Sequence, residues 1–135
     1  MTIARRQDRI LLVDDEPDVA MIMSMFLKKS GYRVVSTTSS ATALQMFLEN
    51  SDQFALLITD LTMPHLSGID LARNVRGVRP DIPVILCTGY GEEIGWELAS
   101  RLKLSACLGK PVDRERFIMT VRGALSQTGE NRQST

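Results

Sequence analysis

The chain has no excess charge of either sign, because sixteen lysines and arginines balance sixteen aspartates and glutamates. It therefore carries no global positive field to draw in nucleic acid or an anionic membrane, and no direct nucleic-acid role is expected without a local patch. Long apolar runs are missing too. The longest reach five residues, as in Phe54–Ile58, far below the roughly 20 that a membrane-spanning helix needs, so no membrane insertion is expected. The opening Met1–Asp8 is polar and basic with no apolar segment behind it, which excludes a secretory signal. Cysteine is scarce: Cys87 and Cys107 do not make a disulfide framework. These absences together point to the cytoplasm. There is no internal repeat and no low-complexity block.

What the sequence does have is 44% apolar residues in 135 positions, enough for one domain with a core of its own. Short apolar runs alternate with segments of helical period. The runs are Ile10–Val13, Arg33–Thr37, Phe54–Thr59, Ile82–Cys87 and Ala106–Leu108. Lacking polar alternation, each reads as a strand buried on both faces, the kind found in a parallel sheet between helices.

Between them, Val19, Ile22, Met23, Phe26 and Leu27 share one helical face after Pro17, and Gly31 closes that helix. Ser39 or Ser40 can cap a second helix carrying Ala43, Leu44, Phe47 and Leu48. A third spans about Ile69 to Val75 and ends near Gly77, and a fourth carries Ile94, Leu98 and Leu102. In the fifth, Phe117, Val121, Ala124 and Leu125 point inward, and Ser126–Thr135 reads as a frayed polar tail. The prediction is a doubly wound α/β domain over residues 9–127, flanked by an N-terminal tail (1–8) and a polar C-terminal tail (128–135).

In such sheets ligands bind outside the carboxyl ends of the strands. Here those ends carry Asp14-Asp15-Glu16, Asp60, Thr88 and Lys110-Pro111. Helix capping would account for Asp15 and Glu16 but not for Asp60, which precedes Leu61-Thr62-Met63-Pro64 rather than a helix. Converging carboxylates repel one another unless a cation sits among them. An oxygen-only ligand set suits magnesium, and zinc is disfavoured because no His or Cys lies at ligand spacing. A magnesium ion with a carboxylate, a hydroxyl and a lysine makes a phosphoryl-transfer site, in which a carboxylate can itself be the nucleophile. An ordinary ion pair at the sheet edge is the other account of Lys110.

Four motifs in order carry a family resemblance. They are Ile10-Leu11-Leu12-Val13-Asp14-Asp15-Glu16, Leu57 to Pro64 with Gly68, Val84 to Gly89, and Gly109-Lys110-Pro111. The chain resembles the receiver domain of two-component response regulators over about Arg9–Gln127, and the Asp60–Tyr90 stretch looks most like receivers attached to hybrid sensor kinases. The resemblance implies a flavodoxin-like sheet of five parallel strands with five helices. It also implies that Asp60 accepts a phosphoryl group from a histidine kinase or phosphotransfer protein. Asp15 and Asp60 would ligate Mg2+ directly, the Thr62 carbonyl would complete the protein ligands, and Asp14 would act through water. Thr88 would be the switch hydroxyl, Lys110 its charge partner, and the Lys110–Pro111 bond cis. Such a domain is a phosphoacceptor rather than an enzyme, beyond catalysing its own phosphorylation and dephosphorylation.

One departure stands out: Cys107 takes the place of the aromatic that usually swings inward on activation. Tyr90 could supply that aromatic or tune dephosphorylation. A pseudo-receiver that binds partners without phosphorylation is the competing reading. An aspartyl phosphatase would carry Asp-x-Asp after the first strand, and a flavin or dinucleotide module would need a Gly-rich or Ser/Thr-rich turn there; neither is present. Both cysteines read as small buried hydrophobes, and His65 as solvent-facing loop.

Met21 and Met25 fall opposite the apolar face of helix one at i, i+4 and offer a partner-docking surface, against incidental exposure as the alternative. Trp96 lies off the apolar face of helix four, either as a partly buried aromatic or as an anchor for output partners. The switch would act on the surface of helix four and strand five, which with helix five could also form a homodimer. Arg114, Arg116 and Arg122 line the outer side of helix five. No output domain follows helix five in this sequence, which fits either a stand-alone receiver or one cut from a longer chain.

Overall fold

A computed structural model describes residues 8–89 and 95–133 of the chain. The strands are β1 (Arg9–Val13), β2 (Arg33–Thr37), β3 (Phe54–Asp60), β4 (Val84–Thr88) and β5 (Ala106–Gly109). The helices are α1 (Pro17–Lys29), α2 (Ser40–Glu49), α3 (Gly68–Val78), α4 (Trp96–Arg101) and α5 (Arg114–Gln133). All strand pairs are parallel, in the order β2-β1-β3-β4-β5. The order doubles back at β1, so the crevice of such a sheet opens at the carboxyl ends of β1 and β3.

Two apolar layers hold the sheet between its helices. Ile10, Leu12, Ile58, Ile85 and Leu108 pack with Met23, Leu27, Phe117 and Val121 of α1 and α5. On the other face Leu11, Val13, Leu57 and Val84 pack with Phe47, Leu71 and Val75 of α2 and α3. Alternate residues of one strand serve opposite layers, which is why the central strands show no polar alternation. That expectation holds for β1, β3 and β4 and fails at the sheet edges. Arg33 and Ser36 of β2 and Cys107 and Gly109 of β5 are exposed, because an edge strand is covered on fewer sides.

Local signals explain the helix boundaries. Pro17 occupies the first turn of α1, where its missing N–H is not needed, and Gly31 follows the helix with φ 94°. Ser39 caps α2 by accepting from the Thr42 N–H, and Ser67 caps α3 by accepting from the Asp70 N–H. α3 runs from Gly68 to Val78, three residues beyond the predicted Val75. α5 continues to Gln133, so the residues read as a frayed tail extend the helix. Leu48 is 54% exposed and Ile22 is 50% exposed, both against expectation; Ala20 and Ser24 take the buried positions on α1. Helical period places a residue on a face only to within part of a turn, and both lie at the rim of their stripe. Tyr90, Gly91 and Ile94 lie outside the described residues, as does the side chain of Trp96.

Two arginines of the α3 region act as staples. Arg76 donates from Nε to the Ile82 carbonyl and from its two terminal nitrogens to the Leu102 and Lys103 carbonyls, each at 2.7 Å. It thereby ties α3 to the approach to β4 and to the end of α4, where Lys103 adopts φ 55°. Arg79 donates to the Phe54 carbonyl at 2.9 Å and pairs with Asp81. The Arg76→Leu variant leaves three carbonyls without their donor. It is expected to cost about 2–3 kcal/mol, seen as a lower urea midpoint with unchanged slope.

Candidate functional site

The site is built from strand ends pinned by backbone hydrogen bonds. Asp14 N–H donates to the Thr37 carbonyl at 3.3 Å, Leu61 N–H to the Cys87 carbonyl at 2.8 Å, and Lys110 N–H to the Thr88 carbonyl at 2.8 Å. These bonds bring the β1, β3 and β5 ends to one place. The Lys110–Pro111 peptide is cis.

Asp14, Asp15 and Asp60 converge so closely that one carboxylate oxygen from each lies within 4.8 Å of the others. Asp14 is 1% exposed and Asp60 5% exposed. Lys110 Nζ stands 2.9 Å from Asp14 Oδ2, 3.2 Å from Asp60 Oδ2 and 3.3 Å from Glu16 Oε1. Asp14 Oδ1 accepts from the Glu16 N–H at 2.9 Å. Asp14 Oδ2, in contrast, has the ion-pair contact with Lys110 but no hydrogen bond of good geometry, although it is buried.

The charges do not cancel, because among the described residues Lys110 alone faces Asp14, Asp60 and Glu16. Burial, followed by repulsion from Asp14, raises the Asp60 carboxyl to about 6 against the opposing pull of Lys110. Burial works to lower the Lys110 pKa, but the close contacts with the Asp14 and Asp60 carboxylates outweigh it and hold the ammonium above its ordinary value. One lysine thus faces two nearly buried carboxylates with a third at the rim. A hard divalent cation fits this surplus, since the donors are all oxygens and Asp14 Oδ2 retains unused accepting capacity.

A cleft of about 650 Å³ opens from this cluster. Asp15, Asp60, Thr62 and Lys110 line its polar end, and Val19, Ile22, Phe26, Pro111 and Val112 line an apolar wall along α1. Met21 and Met25 are 58% and 48% exposed but border a separate groove beside Ser36 and Thr37 of β2. The apolar surface next to Asp60 therefore centres on Ile22, a residue the helical pattern had placed in the core.

Thr88 is buried at the end of β4, and its hydroxyl donates to the Leu108 carbonyl at 3.5 Å, the outer limit of a hydrogen bond. Cys107 is exposed, which corrects its reading as a buried hydrophobe. In the register Leu86 pairs with Cys107 and Cys87 with Leu108, so the two cysteines project to opposite faces of the sheet. Burial pushes the Cys87 thiol up to about 12, leaving it protonated and inert. His65 is exposed in the loop after Pro64 with φ 71°.

Gly68 has a structural task that its place in a motif does not reveal. A Cβ there would overlap the Asp60 carbonyl oxygen and lie 2.9 Å from the carbonyl carbon, while Gly68 N–H donates to the Leu61 carbonyl at 2.9 Å. The loop from Leu61 to Ser67 closes against the backbone of Asp60, and only glycine permits it. The physical signal was the short return from Asp60 to the next helix, which forces α3 to start against the strand end.

Comparisons with known proteins agree with this geometry. The chain matches the response regulator receiver domain family over residues 10–122. It is 30% identical to the transcriptional regulatory protein GlrR of Escherichia coli K12, over 93% of this chain and 28% of that protein. It is 42% identical to the two-component response regulator ORR24 of rice, over 62% of this chain and 13% of that protein. The chain spans about a quarter of the length of the GlrR relative and less of the rice one. Among solved structures, a response regulator receiver domain protein from Clostridium thermocellum superposes with a TM-score of 0.84 at 30% identity, covering 90% of this chain and 97% of that one. A CheY-like receiver from Methanospirillum hungatei, at 24% identity and a TM-score of 0.83, shares the fold.

The Gly68→Ala variant is expected to lose about 1–3 kcal/mol through the forced shift of the Asp60 backbone and to move the amide resonances of Asp60 and Lys110. Gly77→Ala, with open space around its Cβ, is expected to be neutral or stabilising by up to about 1 kcal/mol.

Proposed function

The chain belongs to the response regulator receiver domain family of two-component systems, and we propose on that footing that it accepts a phosphoryl group on Asp60. Receiver domains of this family interact with histidine kinases or phosphotransfer proteins, and one of these would be the donor. The observation that carries the reading is the pairing of Asp60 Oδ2 with Lys110 Nζ at 3.2 Å, at the polar end of a cleft whose wall is apolar.

In the transfer, an Asp60 carboxylate oxygen attacks phosphorus, the N–P bond of the phosphohistidine breaks, and an acyl phosphate forms as the imidazole leaves. Lys110 is placed to offset charge on the phosphoryl oxygens as they approach, because its ammonium already sits at the carboxylate under attack. Asp15 and Asp60, with the Thr62 carbonyl and with Asp14 through water, would hold magnesium, whose chemistry is neutralisation of phosphoryl oxygen charge. Thr88 is the switch hydroxyl. Its long bond to Leu108 is weak enough to exchange for one to a phosphoryl oxygen, which favours an active arrangement already sampled. Tyr90 and Cys107 modulate that switch, and Trp96 with the surface of α4 and β5 reads it out.

The apolar wall suits a donor protein. Ile22, Pro111 and Val112 supply apolar area in the cleft with Asp60, and Met21 and Met25, in the separate groove beside β2, add exposed apolar area on the same helix. A homodimer through α4, β5 and α5 is a second arrangement, favoured by Met119, which is 69% exposed on α5. The pseudo-receiver reading has less support, because the carboxylate cluster and its lysine are together in one cleft.

Incubation with acetyl phosphate and magnesium is expected to add one phosphoryl mass to the chain and none to Asp60→Asn; no adduct, or an adduct in the variant, would favour the pseudo-receiver. An Ile22→Asp variant is expected to keep phosphorylation by acetyl phosphate within about twofold. It should slow transfer from a phosphorylated histidine kinase or phosphotransfer protein by tenfold or more, about 1.4 kcal/mol of lost contact.

A further inference from the structure

At the opposite end of the sheet from Asp60, a cleft of about 310 Å³ runs between the carboxyl-terminal half of α3 and the turn after α4. Arg73, Arg76 and Gly77 of α3 line it together with Arg101 and Lys103 at the end of α4. The chain as a whole is neutral, so four cations with no acid among the lining residues make a local field of one sign. Arg73, Arg101 and Lys103 are exposed. Among the described residues, Arg73 has only a 3.9 Å pair with Asp70, and no carboxylate lies within 4.0 Å of Arg101 or Lys103.

Part of this charge serves the fold. Arg76, near the end of α3, holds the Leu102 and Lys103 carbonyls at the end of α4 and the Ile82 carbonyl before β4, and cations at helix C-termini also complement the helix dipoles. That task occupies three of its five N–H donors and leaves its positive charge in place. It accounts for neither Arg101 nor Lys103. On α3, Arg73 and Gly77 lie one turn apart on the same side, and Gly77 has open space where a side chain would stand. The α3 side of the cleft is therefore bare at Gly77, next to the Arg73 side chain.

We propose that this cleft binds an acidic segment of a partner protein, seated over Gly77 with its carboxylates toward Arg73, Arg101 and Lys103. Charge complementarity selects the occupant's sign, and the surroundings select its class. Asp70 pairs with Arg73 at one margin, and Asp81 with Arg79 beyond α3. Such interspersed acids repel a continuous phosphate backbone. Four cations are also fewer than the six to ten phosphate contacts typical of nucleic-acid binding. A peptide can place isolated carboxylates between these acids. The surface shares no lining residue with the cleft at Asp60 and needs no part of the reading of Asp60.

The test is a titration of the 135-residue chain with an octaglutamate peptide, followed by amide chemical shifts at low ionic strength. Saturable shifts confined to residues 73–80 and 101–105 are expected, with affinity falling tenfold or more in the double variant Arg101→Glu, Lys103→Glu. The charge-matched Arg114→Glu, Arg116→Glu variant, on the exposed start of α5, should bind as the parent does. Equal losses in both variants would show a net-charge effect and overturn the site. Shifts that do not saturate, or a single-stranded DNA octamer binding the same residues more tightly than the peptide, would overturn it too. Far-UV circular dichroism and a urea midpoint matching those of the parent verify that both variants are folded.

Discussion

Two nearly buried carboxylates share one ammonium at the carboxyl edge of the sheet, and much of the rest of the structure serves that arrangement. Asp14 and Asp60 lie close enough to repel, and Lys110 bridges both. In a water-filled site the repulsion would be small; with 1% and 5% exposure it is not. The cluster is left with surplus negative charge, which is unfavourable in isolation and suited to a visitor that brings positive charge with it. A carboxylate that is both crowded by its own kind and held beside a lysine is a poor place to leave empty-handed and a good place to receive a phosphoryl group with its cation.

The fold supplies the precision this needs. Asp14, Asp60 and Lys110 come from three strands, and neighbouring backbone groups pin each strand end: Thr37 on β2, Cys87 and Thr88 on β4. Alternate residues of the same strands, such as Leu57 and Ile58 of β3, anchor them in apolar layers on both faces. The loop after Asp60 then folds back so tightly that Gly68 touches its carbonyl. A rigid sheet thus presents a strained charge cluster, while the contacts around it at Thr88 and on α1 are weak or exposed. Under the proposed function, that division would put the chemistry on the best-anchored groups and the response on the least anchored ones.

Most of this architecture was legible in the sequence because a doubly wound sheet writes itself as short Val, Ile and Leu runs, and here two of them, β1 and β3, run into aspartates. Asp14, Asp15, Asp60 and Lys110 could be brought together from order alone, since parallel strands place all their carboxyl ends at one edge. Other features were not legible. The inward assignment of Ile22 failed because a helical stripe is wide and its rim can face either the core or a cleft. Cys107 was taken as buried because a parallel sheet was assumed to cover its edge strand as it covers the centre. The clamp by Arg76 joins residues 26 and 27 positions apart, a separation at which no local pattern operates. α5 continues past Ser126 and through Gly129 to Gln133, a stretch with no proline to stop it and no apolar stripe to announce it, so an amphipathic criterion cannot see it.

The charge cluster makes one thermodynamic claim that can be measured directly. Asp60 carries a folded-state pKa near 6 against an ordinary value of 3.8, so between these values the folded chain binds more protons than the unfolded one. Ionisation therefore opposes folding, and stability contributed by the protonated form is lost as pH rises through that window. The measurement is the unfolding free energy of the wild-type chain and of Asp60→Asn from about pH 4 to about pH 7, with and without magnesium. Without the metal, the wild type should lose about 2–3 kcal/mol relative to the variant across the window, and saturating magnesium should close most of that gap. Parallel curves for the two proteins, indifferent to magnesium, would contradict the account.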